Sequence, residues 1–399
     1  MIRGVWREVV ELAAWTVAVS WCVRTTDAVQ NMPSLPDLTS SEWNITPPGA
    51  PGLTVVVTAR DEAENIAATL DTLLAQEYPF LRILAVDDRS IDATGTIVDE
   101  YAARHPDRLT AIHITTLEEG WLGKTFAMQV ATQNSDSEYL LFTDADVLFS
   151  PSILRRALAY AEQEQAAHLV VMPTVQIRSR GEGIVLGFLQ ILGFWASRPW
   201  RVADPKAKND VIGIGAFNLL RRDALQQIGG LEPQRLTVLE DVTLGRRIKA
   251  AGLPQRIAFA PELILVHWAK GVRGLNRAMT KNLFSAVNFQ PVLLLGLCLW
   301  IVVFCLGPIA ALAWWVTILP SFLVFCCIAT IYRQLGARSR IDTRYGWLYP
   351  LGAVIFIYSM LWSMVVAWRH RGVIWRGTLY PLRDLRKYNS PFQWRSKGS

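Results

Sequence analysis

The stretch Glu138-Tyr139-Leu140-Leu141-Phe142-Thr143-Asp144-Ala145-Asp146 decides the fold. Its apolar residues run on without alternation and then stop at two carboxylates. A continuous short apolar run reads as a strand buried on both faces, and such strands belong to parallel sheets covered by helices. Ligands bind beyond the carboxyl ends of these strands. Two aspartates one residue apart at that place can hold a hard divalent cation that also bridges a diphosphate. An isolated pair of this kind is more often a solvated strand-to-loop turn, so its surroundings decide.

Working outward, Leu53 to Ala59, Arg82 to Asp87, Leu109 to Thr115 and His168 to Thr174 are further β-branched or apolar runs that read as strands. Glu64 to Gln76, Asp92 to Arg104 and Pro151 to Gln163 carry helical periodicity between them. Strands alternating with helices over residues 53–290 predict an α/β domain with a mostly parallel sheet and helices on both faces.

Two of these strands end in chemistry. Val55-Val56-Val57-Thr58-Ala59-Arg60-Asp61-Glu62-Ala63-Glu64-Asn65-Ile66 turns from a strand into a helix with early acidic residues, where a base and ribose would find room. Ile83-Leu84-Ala85-Val86-Asp87-Asp88-Arg89-Ser90-Ile91-Asp92-Ala93-Thr94 repeats the pattern, with carboxylates placed to accept from sugar or base. Asp92 equally suits capping of the next helix. Further on, Leu239-Glu240-Asp241-Val242-Thr243-Leu244 opens a helix that ends near Gly252. The positive end of a helix favours an ionised carboxylate, so Asp241 is a candidate proton acceptor.

Two phosphate-binding motifs are excluded. Gly123-Lys124-Thr125 resembles the end of a P-loop, but Glu118 stands where that motif needs glycine. Gly213-Ile214-Gly215-Ala216-Phe217-Asn218 starts as a dinucleotide fingerprint and ends in Asn218. The five histidines are scattered without ligand spacing, which gives zinc chemistry no support.

Composition requires a membrane part as well. Hydrophobic residues make up 51% of 399, with 16 Trp, more than a soluble interior needs. Residues 1–31 form an anchor around the apolar run Val9 to Val23, with a cleaved signal peptide as the alternative. Residues 32–52, rich in proline, suit a linker. Within residues 291–368, Val292 to Ile331 is long enough for two spans and Trp347 to Trp368 for a third. Arg333, Arg338, Arg340 and Arg344 place the loop between the second and third on the cytoplasmic side. The tail, residues 369–399, carries Arg371, Arg376, Arg383, Arg386, Lys387, Arg395 and Lys397 against Asp384. Three simple crossings would put those cations on the far side, so either one apolar stretch is re-entrant or the tail departs from the charge rule. The net charge of +6 fits anionic headgroups or nucleotide phosphates; no nucleic-acid motif accompanies it. Five cysteines in apolar segments fit a reducing compartment.

The order of these segments resembles glycosyltransferase family 2, whose members have the GT-A nucleotide-diphospho-sugar transferase fold, over roughly Leu53 to Gln290. Gly120-Trp121-Leu122-Gly123-Lys124-Thr125 and Trp375-Arg376-Gly377-Thr378-Leu379-Tyr380 make it most similar to the membrane-bound enzymes of hopanoid, carotenoid and ceramide glycosylation. The resemblance implies an inverting transferase that moves one sugar from a nucleotide sugar, a UDP-sugar in the first instance, to a lipid hydroxyl with Mn2+ or Mg2+. It assigns Glu62 and Asp88 to the nucleoside, Lys124 to the donor phosphates, Asp144 and Asp146 to metal and diphosphate, and Glu240 with Asp241 to catalysis. By the same resemblance Thr58 and Arg60 are expected to flank the donor at the first strand tip, where this chain has Thr58 and Asp61-Glu62 in place of the family's usual Pro and Asn-Glu. The Gln-x-x-Arg-Trp motif of sugar polymerisers is replaced by Arg277-Ala278-Met279-Thr280-Lys281-Asn282, so single transfer is expected.

Gly183 to Trp200 and Asn276 to Phe289 have the composition of helices lying on a bilayer, with ordinary core packing as the alternative. Trp195, Arg277 and Lys281 on them are the candidate acceptor and membrane contacts. The expected setting is the cytoplasmic membrane, multi-pass, with the catalytic domain facing the cytoplasm. Two other readings stay open: a polyprenyl-phosphate sugar synthase, and a catalytically silent membrane protein that binds nucleotide sugars.

Overall fold

The computed structural model describes residues 2–389; Arg395 and Lys397 of the basic tail lie outside them. The chain forms two compact units, each assembled from separate segments. One comprises Leu35–Gln176, Arg201–Trp268 and the residues from Gly372; the other comprises the residues up to Ser34, Ile177–Trp200 and Ala269–Arg371.

The first unit is built on twelve strands: β1 (Leu53–Ala59), β2 (Leu81–Asp88), β3 (Leu109–Ile114), β4 (Tyr139–Asp144), β5 (Val147–Phe149), β6 (His168–Met172), β7 (Thr174–Val175), β8 (Asn218–Arg221), β9 (Gln255–Phe259), β10 (Ile264–Val266), β11 (Gly372–Trp375) and β12 (Thr378–Pro381). A seven-stranded sheet has the order β3-β2-β1-β4-β8-β6-β9. All neighbours in it are parallel except β8, which runs antiparallel to both β4 and β6. Alternation across the pleat divides the core. Val55, Val57, Ile83, Ala85 and Leu141 face the helices Ile66–Leu74, Thr94–Arg104 and Ile153–Gln163. Val56, Leu84, Val86, Leu140 and Phe142 face Gly123–Gln133 and Glu240–Ala250 on the other side. Each fully buried Leu or Ile contributes about 1.5–3 kcal/mol, so the pattern that predicts an α/β sheet also holds it in register.

The expected strand His168 to Thr174 breaks at Pro173, which has no N–H to give to a ladder. Beyond it β7 joins a second sheet of order β5-β10-β7. The proline-rich stretch before β1 packs against a sheet edge. Leu38 N–H donates to Phe259 O at 2.8 Å, Leu38 and Trp43 are buried, and Trp43 meets Tyr160 edge to face at 5.0 Å. The described part of the tail is a hairpin, β11 with β12, followed by the helix Leu382–Asn389, in the same unit as the main sheet.

The second unit is helical. Ile2–Asn31 packs Val17, Ala18 and Trp21 inward, and Trp21 Nε1 donates to Phe304 O at 2.9 Å. Among the described residues, three helices are long and apolar enough to cross a membrane: Pro291–Ala311, Trp315–Ser339 and Thr343–Arg369. The first of them contains a π-helical turn at Val302–Leu306. Arg180–Ala196, overlapping the Gly183 to Trp200 stretch, follows the core-packing alternative, with Ile184, Val185, Leu186, Phe188, Ile191 and Phe194 buried. Its glycines explain the close fit: a Cβ at Gly183 would fall 2.0 Å from Tyr345 Cζ. Gly271–Ala286 buries Leu275, Met279 and Phe284 and leaves Arg277 exposed.

Candidate active site

The site lies at the carboxyl ends of the parallel strands. Thr58 in β1 stands in register with Asp144 in β4, so the two strand tips are neighbours by hydrogen-bond pairing alone. Asp144 then leads through buried Ala145 to Asp146, immediately before β5. The Ala145 carbonyl accepts from Thr69 Oγ1 at 2.9 Å, which fixes the turn that carries both aspartates.

Lys124 joins this turn to the later helix. Its Nζ is 2.6 Å from Asp144 Oδ1 and 2.6 Å from Glu240 Oε1. Burial alone would lower its pKa, but Asp144, Glu240 and Asp241 outweigh that and hold the ammonium charged. Two glycines permit this closeness. A Cβ at Gly215 would lie 2.5 Å from Asp144 Oδ2, and one at Gly213 2.2 Å from the Asp241 carbonyl carbon.

Glu240 and Asp241 open the helix Glu240–Ala250, Glu240 buried and Asp241 half-buried. Asp241 Oδ1 accepts from Val242 N at 2.8 Å. Burial and the charge of Glu240 push the Asp241 carboxyl up to about 6, against the opposing pull of Lys124. Asp146 is pushed up to about 7 by burial, then by Asp144 and Glu62. Asp146 thus feels Asp144 and Glu62, and Asp241 feels Glu240 and Asp144, with Lys124 opposing both.

The β1 and β2 tips are laced together. Asp61 N donates to Ser90 Oγ at 3.0 Å, Ile91 N to Asp61 Oδ1 at 2.8 Å, Glu62 N to Thr94 Oγ1 at 2.8 Å and Ala63 N to Asp92 Oδ2 at 3.1 Å. Asp92 also accepts from Thr94 N, so it caps the following helix and ties the two loops together. Asp61 and Arg89 both have positive φ, at 54° and 57°; for Arg89 that backbone is costly and is held by these bonds. Asp88 is buried, bound by Arg89 at 2.7 and 3.1 Å, and a Cβ at Gly123 would meet its Oδ2 at 2.1 Å. Asp88 therefore sits over the start of the helix that carries Lys124.

Thr58, Arg60, Glu62, Asp88, Lys124, Asp144, Asp146, Glu240 and Asp241 all belong to the sheet unit; charge or contact links Glu62, Asp144, Asp146, Glu240 and Asp241, while Asp88 is bonded to Arg89 beside the start of the Lys124 helix. Trp195, Arg277 and Lys281 belong to the helical unit. There Trp195 lies among Trp21, Trp300 and Phe304, with ring centroids 5.0, 5.3 and 6.0 Å away; Arg277 is exposed and Lys281 half-buried.

Arg376, read from the sequence as a tail cation and part of the segment 375–380, is not expected at the site, yet it reaches it. Arg376, in the two-residue turn between β11 and β12, donates to Glu62 Oε1 at 2.7 Å and to the Arg60 carbonyl. Its signal was local: Arg376-Gly377 between two short apolar runs has the length of a tight hairpin turn, and both residues have positive φ, 47° and 79°.

A mostly parallel sheet whose strand tips gather carboxylates around one lysine, facing a helix that starts with Glu-Asp, defines a GT-A glycosyltransferase. The family model described as "Glycosyltransferase like family 2" matches residues 50–288, and the chain belongs to that family. It is therefore an enzyme that transfers sugar from a nucleotide-sugar donor. Among curated relatives, the 4,4'-diaponeurosporenoate glycosyltransferase of Staphylococcus aureus strain USA300 is 22% identical over 296 residues, 72% of each chain. The same enzyme from strain MRSA252 is 22% identical over 291 residues, 71% of each. Among solved structures, the mannosyltransferase PcManGT of Pyrobaculum calidifontis, in complex with GDP-Man and Mn2+, aligns with 17% identity and a TM-score of 0.47 over 90% of this chain and 98% of that one. Staphylococcus aureus TarS 1-349 in complex with UDP aligns with 15% identity and a TM-score of 0.41, covering 82% and 95%.

Proposed function

We propose that this enzyme is an inverting, divalent-metal-dependent transferase that adds a single sugar, from a UDP-sugar in the first instance, to a hydroxyl of a membrane lipid. The observation that carries the reading is Lys124 bridging Asp144 to Glu240, which ties the donor-phosphate end of the site to the helix bearing Asp241.

The residues suit a cation. Four carboxylates, Asp144, Asp146, Glu240 and Asp241, lie around one lysine, and the crowding that raises Asp146 is relieved by added positive charge. Among the described residues no group of three or more His, Cys, Asp and Glu is placed to hold a metal ion. Asp144 and Asp146 would thus hold Mn2+ or Mg2+ by two carboxylates, with water and diphosphate completing the shell, as is usual for Mg2+ on phosphate substrates. When bound, the metal supplies positive charge against the diphosphate that leaves. Asp241 accepts the proton of the acceptor hydroxyl as that oxygen bonds to the anomeric carbon; the bond from this carbon to the diphosphate oxygen breaks, and its electron pair leaves on the diphosphate. Attack and departure on opposite faces give inversion. A base near 6 removes a proton more readily than one near 4 while remaining ionised at neutral pH. Glu62 and Asp88 serve the nucleoside, flanked by Thr58 and Arg60.

A lipid acceptor is supported by three apolar helices and by the acceptor that the curated relatives' name carries. The same helices support a multi-pass protein of the cytoplasmic membrane with its sheet unit in the cytoplasm. Residues 269–371 leave the sheet unit and return to it, which requires an even number of crossings between those points. One of the three apolar helices would then lie along the bilayer or re-enter, and the tail's cations would stay on the cytoplasmic side as the charge rule asks.

The test is transfer of label from UDP-sugars and from GDP-mannose to extracted lipid, with membranes containing the chain, with and without Mn2+ or Mg2+. Labelled lipid that appears only with a divalent ion supports the reading. Nucleotide binding without label in any lipid points to a silent binding protein.

A further inference from the structure

The β11–β12 hairpin is separated from the β1 tip by most of the chain, yet its turn residue closes on the loop expected to hold the nucleoside. Arg376 bonds two successive parts of that loop, the Arg60 carbonyl and Glu62 Oε1, while Asn65 Nδ2 holds Glu62 Oε2 at 3.0 Å. Both carboxylate oxygens are thereby oriented. The far strand of the hairpin carries Tyr380, itself buried, within electrostatic reach of the Arg89 guanidinium that clamps Asp88. The hairpin thus reaches the residues at both strand tips that the proposed function gives to the nucleoside. A two-residue turn suits this work, because it presents the side chain at its tip on a short, twisted ribbon with little freedom. Arg376 keeps 39% of its side chain exposed beside a Glu62 that is 19% exposed, so the pair borders solvent from which a nucleotide can enter.

We infer that the β11–β12 hairpin is part of the donor site, and that Arg376 is a positioning residue for the nucleoside end of a nucleoside diphosphate sugar, holding Glu62 to accept from ribose or base. The inference rests on the proposed function, since it takes Glu62 as a nucleoside contact. Arg376 does not touch the reacting atoms, so its loss weakens donor binding and leaves the chemical step.

The experiment uses the full chain in detergent, with calorimetric titration of UDP and of GDP, thermal unfolding, and steady-state transfer. Arg376→Ala is expected to raise the nucleotide Kd and donor KM about tenfold, as for loss of one charge-assisted hydrogen bond, with kcat within about twofold and the unfolding temperature unchanged. Arg376→Lys restores part of the affinity, because the charge remains and the second bond is lost. In a Glu62→Gln background Arg376→Ala should weaken binding by less than about threefold, since the partner charge is already gone. Equal nucleotide affinity in wild type and Arg376→Ala overturns the inference while leaving the proposed function standing, and so does a fall in kcat and unfolding temperature at constant KM. Failure of the wild-type chain to bind either nucleotide removes both.

Discussion

Lys124 Nζ stands 2.6 Å from Glu240 Oε1, and Glu240 is 5% exposed. The contact makes the lysine a structural tie as well as a candidate phosphate ligand, because the glutamate it neutralises has little water to fall back on. Removing it leaves a buried carboxylate uncompensated. Lys124→Met is expected to cost about 3 kcal/mol of stability and to lower kcat/KM at least a hundredfold. Chemical denaturation in detergent and steady-state kinetics check the two effects separately. The Asp144 half of the bridge, 41% exposed, contributes little to the stability loss.

Asp241 should set the acid limb of catalysis. With its carboxyl pushed up to about 6 by burial and Glu240, kcat/KM is expected to fall as pH drops below about 6, since the protonated form cannot accept the acceptor's proton. Asp241→Asn should lower kcat by roughly 10²- to 10⁴-fold with nucleotide affinity retained. A variant that keeps most of its rate would favour a phosphate acceptor, which needs no such base.

His168 makes the fold sensitive to acid at a distance from the site. It is fully buried across three strands, with Nε2 2.5 Å from Asn218 Oδ1 and Nδ1 3.0 Å from Gln255 Nε2. Gln255 can only donate there, so Nδ1 accepts and the ring is neutral, and burial lowers its pKa to about 4. The unfolded chain binds this proton more tightly than the folded one. Stability from the neutral ring is complete above pH 6.5 and is lost as pH falls toward 4, by at most roughly 3 kcal/mol. Unfolding temperatures of wild type and His168→Gln, compared from pH 7.5 to 5, should converge on acidification.

Glycine substitutions should separate by what surrounds them. Gly213→Ala sets a methyl group 2.2–2.4 Å from backbone atoms of Asp241 and Val242, which cannot yield cheaply. It is expected to destabilise by about 1–3 kcal/mol and to remove activity. Gly215→Ala meets the Asp144 carboxylate and Lys124 Nζ, and should reduce activity more than stability. Gly193→Ala, in the helix Arg180–Ala196 with open space around it, should be neutral or gain about 0.5–1 kcal/mol. Thermal unfolding paired with transfer rates distinguishes the three.

The strands legible in the sequence are those buried on both faces, because continuous apolar runs such as Val55 to Val57 and Leu140 to Phe142 carry their own signal. Their polar ends were legible for the same reason, which brought Glu62, Asp88, Asp144 and Asp146 into view before any coordinate. β8 was not legible. Its four residues, Asn218–Arg221, form a strand only because two longer strands flank them, and long-range pairing leaves little local trace. Lys124 and Glu240 are both visible in the sequence, but their pairing is not, since the two meet only when the helices are packed. Arg376 lies 314 positions from Glu62; its turn could be read locally, whereas what the turn touches could not.

The first unit is discontinuous, and its final hairpin is reached only after the apolar helices have been traversed. A ribosome making this chain therefore finishes the sheet before those helices but delivers Arg376 only after the last of them has been synthesised. Trimming the gene to a water-soluble fragment that stops before Pro291 would discard the hairpin along with the helices.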